Sequence, residues 1–142
     1  MSRATIAFAL ATMFWLVIPV IAAGQAPAGW KPVKDSTGVC QIFVPNGWNQ
    51  SVMIVHSPHV RLKPMSEDTV THVGADKIFE NTTQRFFFVR KPVAMNDGKS
   101  FLVNYHVEVP GNGIECIAEI NVKQGYSEDE VKKIAATLAP VK

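Results

Sequence analysis

The chain has 142 residues, with 14 basic and 12 acidic side chains and a formal net charge of +2. So small an imbalance argues against electrostatic capture of nucleic acid or an anionic membrane. Two cysteines, no low-complexity tract and no internal repeat leave room for one ordinary globular core.

Met1-Ser2-Arg3 opens the chain with a positive charge, and the apolar run 4–23 follows without a charged residue. Pro19 and the small residues Ala22-Ala23-Gly24 stand at its exit. These are the parts of a cleavable signal peptide, with cleavage expected after Gly24. An uncleaved anchor is the rival reading, because about 20 apolar residues also span a bilayer. Membrane contact is expected only through this segment, and only if it is retained. Removing residues 1–24 leaves 118 residues with 13 basic and 12 acidic side chains, a balance of +1. Residues 25–38 read as a lead-in whose first part, Gln25-Ala26-Pro27-Ala28-Gly29, is flexible. A single domain is expected over 39–142.

Residues 39–44 are β-rich and stop at the turn signal Pro45-Asn46-Gly47. Residues 52–55 suit a short buried strand, and 60–63 alternate up to Pro64. Residues 66–76 are ambiguous: Ser66, Glu67 and Asp68 can start a helix, whereas Thr69, Val70 and Thr71 suit a strand. Residues 85–90 contain Phe86-Phe87-Phe88-Val89, a strand apolar on both faces.

The clearest unit is a hairpin. Phe101, Val103, Tyr105, Val107 and Val109 alternate with polar residues, and Ile114, Cys116, Ala118, Ile120 and Val122 repeat the pattern after Pro110-Gly111-Asn112-Gly113. With Val109 opposite Ile114, all apolar partners share one face. A helix follows over 128–138, with Ser127 and Glu130 in a capping-box pattern and Val131, Ile134, Ala135 and Leu138 as its apolar stripe. The expected fold class is α+β: a twisted, mainly antiparallel sheet packed by a C-terminal helix.

Val44-Pro45-Asn46-Gly47-Trp48, the strand-rich middle and the closing helix together resemble the small α+β domains of the Mog1/PsbP-like group. The resemblance covers most of the chain after residue 24. It implies that fold, and a role in binding or supporting other proteins, as for many members, more than catalysis.

Cys40 and Cys116 fall on the apolar side of their segments, and an even count in an exported chain points to a disulfide. Buried thiols, or a redox-active thiol, are the alternatives. The predicted register sets Glu108 against Glu115 and Asn104 against Glu119, with His106 between Asn104 and Glu108 on the polar face. Two opposed carboxylates and an imidazole (His106, Glu108, Glu115) could hold a divalent metal; a plain solvated face is the alternative. His56-Ser57-Pro58-His59, joined by His72, is a second histidine cluster, in a turn. Trp30, Trp48, Phe86, Phe87 and Phe88 form either core or an apolar surface for a protein partner or small apolar ligand. Asn49-Gln50-Ser51 and Asn81-Thr82-Thr83 are glycosylation sequons of no assigned use. There is no Gly-x-Ser-x-Gly elbow, phosphate loop or dinucleotide fingerprint, so no catalytic residue and no cofactor is expected.

Overall fold

The structure, a computed structural model, describes residues 25–60 and 67–141. The leader and the alternating residues 61–63 lie outside the described residues. The described residues form mostly antiparallel sheet with two short helices. In order the elements are β1 (Trp30–Lys34), β2 (Cys40–Pro45), β3 (Ser51–Ser57), α1 (Glu67–His72), β4 (Ala75–Asn81), β5 (Phe86–Arg90), β6 (Val93–Ala94), β7 (Phe101–Gly111), β8 (Ile114–Lys123), α2 (Glu128–Ala135) and β9 (Ala139–Pro140). A three-stranded sheet runs β1-β2-β9, and a six-stranded sheet runs β3-β8-β7-β5-β4 with β6 added beside β7.

Three elements depart from expectation. Residues 25–38 are not merely a lead-in, because β1 lies among them and pairs along β2 from Trp30↔Pro45 to Lys34↔Gln41. The ambiguous stretch 66–76 divides into the six-residue helix α1 and the start of β4, with Gly74 (φ 74°) making the break. The C-terminal helix ends at Ala135, three residues early, because the chain must turn into β9 beside β2.

The hairpin forms, but two residues out of the expected register. Val109 lies opposite Cys116, and Gly111 opposite Ile114. The loop is only Asn112-Gly113, with φ of 53° and 77°. Both residues have the left-handed backbone of a type I′ turn, which matches the twist of the flanking strands and favours Asn-Gly. Pro110 and Gly111 therefore extend β7 instead of turning. A shift of two keeps every side chain on its expected face and changes every cross-strand partner.

One face of the hairpin carries Tyr105, Val107, Cys116, Ala118, Ile120 and Val122 into the main core. Cys40, Ile42 and Val44 of β2 join them, as do Val131, Ile134, Ala135 and Leu138. Ser127 caps α2 by accepting the Glu130 N–H at 3.3 Å. Beyond the helix the buried Thr137 hydroxyl accepts the Phe43 N–H at 2.8 Å and donates to the Ile134 carbonyl at 2.7 Å, tying α2 to β2.

Gly111 shows how closely the two sheets approach. A Cβ there would lie 2.7 Å from Pro140 Cγ in β9. Gly111→Ala is expected to cost about 1–3 kcal/mol, as overpacking does. A thermal midpoint unchanged within error would refute this close contact.

Candidate functional site

Cys40 of β2 and Cys116 of β8 stand at disulfide distance, with Cα atoms 5.7 Å apart, and both are fully buried. The pair joins the small sheet to the large one.

Beside it sits a polar site anchored by Asp35, in the turn between β1 and β2. The Asp35 carboxylate accepts the Cys40 N–H at 2.9 Å and the Thr37 hydroxyl at 2.5 Å. His56 Nδ1, on β3, lies 3.0 Å from the same oxygen that accepts from Thr37. Burial alone would raise the Asp35 pKa. The hydrogen bonds from Thr37, Cys40 and His56 outweigh burial and hold it well below the usual carboxylate range. His56 is thereby assigned to Asp35. His59 is exposed at the end of β3, where its N–H bonds the Ser57 hydroxyl, and His72 is exposed on α1. The expected histidine cluster is not assembled.

The polar face of the hairpin holds a larger network. The observed register sets His106 opposite Glu119, Asn104 opposite Asn121, Glu108 opposite Ile117 and Glu115 opposite Pro110. The expected Glu108–Glu115 opposition is absent because the two-residue turn moved the register. His106 is held by two carboxylates: Nε2 is 2.7 Å from Glu108, and Nδ1 is 2.5 Å from Glu119. Its ring stacks on Phe88 with centroids 4.8 Å apart. Arg90 lies over the same phenyl ring, pairs with Glu119 at 3.2 Å and donates to the Asn104 side chain. Asn104 in turn donates to Asn121 at 2.9 Å.

Burial of His106 disfavours its charged form, but the hydrogen bonds to Glu108 and Glu119 prevail and its pKa is raised. Glu119 moves the other way: burial would raise it, and His106, Asn104 and Arg90 together bring it below its ordinary value. Both ring nitrogens of His106 are engaged with carboxylates, which suits a charged, internally satisfied network more than a metal ligand. Among the described residues no group of three or more His, Cys, Asp or Glu side chains is arranged to hold a metal ion.

The aromatic strand is core. Phe86, Phe87 and Phe88 are all buried. β5 lies between β7 and β4, so each of its faces meets a separate layer. Phe87 joins the main core, whereas Phe86 and Phe88 pack with Val70 of α1. Trp30 and Trp48 are half-buried against the main core, and Trp48 meets Tyr126 edge-on at 5.4 Å. Large apolar side chains are exposed elsewhere. Met53 and Val55 are exposed on β3, which is an edge strand and not the buried one expected over 52–55, and Val39 and Ile78 are exposed singly. The hairpin that joins β6 to β7 carries three more, with Val93 65 % exposed, Met95 42 % and Phe101 39 %. Val93, Ala94, Met95, Asn96, Asp97 and Leu102 line a shallow hollow of about 310 Å³ there.

Sequence reasoning missed Asp35, the pairing of Glu119 with His106, and this hairpin. Asp35-Ser36-Thr37-Gly38 is a turn signal in which the aspartate side chain bonds backbone groups ahead of it, and it could have been recognised. No family model matches the chain, and no curated protein matches it.

Proposed function

We propose that this protein is an exported α+β module, closed by its C-terminal helix and stapled by Cys40–Cys116, that works by binding another protein. The observation that carries this reading is the β6–β7 hairpin, where Val93 and Met95 stand exposed in the lining of one hollow and Phe101 is exposed on the adjoining strand. Clustered apolar surface of this kind marks interaction sites, whereas single exposed apolar residues need no explanation. The hollow matches the lower volume of small-molecule pockets, but it is shallow, and such pockets enclose most of their guest. A side chain from a partner protein suits it better than a free apolar ligand.

Three further features support the reading. The leader 1–24 reads as a signal peptide, and a disulfide is compatible with an oxidising compartment outside the cytosol. The full burial of both sulfurs favours a structural over a redox role for the pair. The Mog1/PsbP-like resemblance points to protein binding as well.

The test is a photoreactive residue at Asn96, on the exposed tip of this hairpin, activated in the envelope of the producing cell. The same residue at Lys31 is the control. One discrete adduct from position 96, lost in V93S/M95S with the fold intact, is expected. Adducts equal at both positions, or unchanged in the double variant, would reject the hairpin as the contact surface.

A further inference from the structure

A second hollow lies between the β4–β5 hairpin and α2. It measures about 230 Å³ and is lined by Phe79, Glu80, Arg85, Phe87, Lys132 and Ala136. Its floor is aromatic: the Phe79 ring stands 4.7 Å from Phe87 and 6.2 Å from Tyr105, nearly parallel to the latter.

Three cations gather there. Lys77 Nζ and Lys132 Nζ lie 4.9 and 4.8 Å from the Phe79 ring centroid. Both draw on one carboxylate oxygen of Glu128, at 3.2 and 3.0 Å. Arg85 is set deeper, over the Phe87 ring at 5.4 Å, with its side chain only 17 % exposed. Its Nε is 3.1 Å from Glu80, a half-exposed partner on the bulged strand β4. Among the described residues, neither Nη group of Arg85 has a protein acceptor.

A guanidinium has five N–H donors in a planar fork that matches carboxylate or phosphate oxygens. Sinking that fork against aromatic rings removes most of its hydration, a cost that acceptor oxygens offset. Among the described residues the one carboxylate in reach, Glu80, lies beside Nε as an ion pair without a hydrogen bond and leaves the fork unused. We infer that this hollow is a binding site for a small oxyanion, a carboxylate or a phosphate, held by the Arg85 fork with Lys132 as second cation. The guest is small, because the volume falls below the ~300 Å³ at which drug-sized pockets begin. Its binding group is anionic and not an aromatic ring, because two ammonium groups already occupy the neighbourhood of the Phe79 ring. The site is independent of the β6–β7 hairpin.

The test is titration of the intact protein with inorganic phosphate, acetate and benzoate at constant ionic strength, with chloride as the control anion. The readouts are the thermal midpoint and the NMR resonance of the Arg85 Nε–H. A saturable shift at millimolar phosphate or carboxylate is expected. Which anion saturates first distinguishes a phosphate guest from a carboxylate one. Arg85→Lys keeps the charge and removes the fork, and should weaken binding at least tenfold. Lys132→Met should weaken it several-fold, and Lys31→Met should leave it unchanged. If Arg85→Lys does not fold, Lys132→Met, on the outer turn of α2, decides in its place. No saturable response to any of the three anions would overturn the inference. So would an unchanged response in a folded Arg85→Lys or, failing that, in Lys132→Met.

Discussion

Replacing Cys40 and Cys116 together by alanine is expected to lower stability by about 4 kcal/mol. The bridge spans 76 residues, and chain-entropy arguments place such a loop between the ~3 kcal/mol of a 15-residue loop and the ~4.7 kcal/mol of a 100-residue one. Both residues are fully buried in the main core, so the truncations leave small voids that add to the loss. A domain of this size is typically stable by only about 5–15 kcal/mol, so the variant falls close to the unfolding threshold. Urea denaturation of the oxidised protein and the double variant measures the effect. At a typical slope of about 2 kcal/mol per molar urea the midpoint should drop by about 2 M. A loss under about 1 kcal/mol would mean that the two sheets hold together without the covalent link.

Removing the imidazole of His106 should cost nearly as much. His106→Ala takes a hydrogen-bond partner from both Glu108 and Glu119, whose side chains are only 8 % and 22 % exposed, while Arg90 keeps its pair with Glu119. Breaking a buried pair from one side typically costs about 3–5 kcal/mol. About 3 kcal/mol is expected at pH 7, read from urea denaturation of the parent and the variant.

The intact network has its own pH window. The folded pKa of His106 is raised above the ordinary 6.5, so its contribution is complete below about pH 6.5 and is lost as pH rises through the higher folded value. The folded pKa of Glu119 is lowered from 4.5, so its contribution is complete above about pH 4.5 and is lost as pH falls through the lower folded value. The network is therefore strongest between about pH 4.5 and 6.5. Stability profiles of the parent and His106→Ala should converge on the alkaline side. Parallel profiles from pH 5 to 10 would show that His106 does not titrate with folding.

The two strongest local patterns were legible in the sequence. Alternation over residues 101–122 placed every side chain of the hairpin on its correct face, and the stripe Val131, Ile134 and Ala135 gave the buried side of the last helix, with Leu138 buried just beyond its end. The register was not, because alternation repeats every two residues and cannot separate a loop of four from a loop of two. The Asn112-Gly113 backbone makes that choice, and with it the partner of His106. Phe86-Phe87-Phe88 read as core with an exposed patch as the alternative, since only the position of β5 between two strands and two layers decides which. Asp35 escaped notice because its partners, Cys40 and His56, belong to separate strands. Arg85 and Lys132 are 47 positions apart, and nothing local to either one brings them to the same hollow.

The position of β2 between β1 and β9 bears on how the chain closes. β2 is made early, yet Cys40 and Gln41 find their neighbours in Pro140 and Ala139, and the Val141 N–H bonds the Val39 carbonyl at 2.8 Å. A polypeptide emerging amino end first, from a ribosome or a translocation pore, keeps this early strand unsatisfied along one border until Ala139 and Pro140 are free. The small sheet is thus completed only after both strands of the long β7–β8 hairpin have emerged.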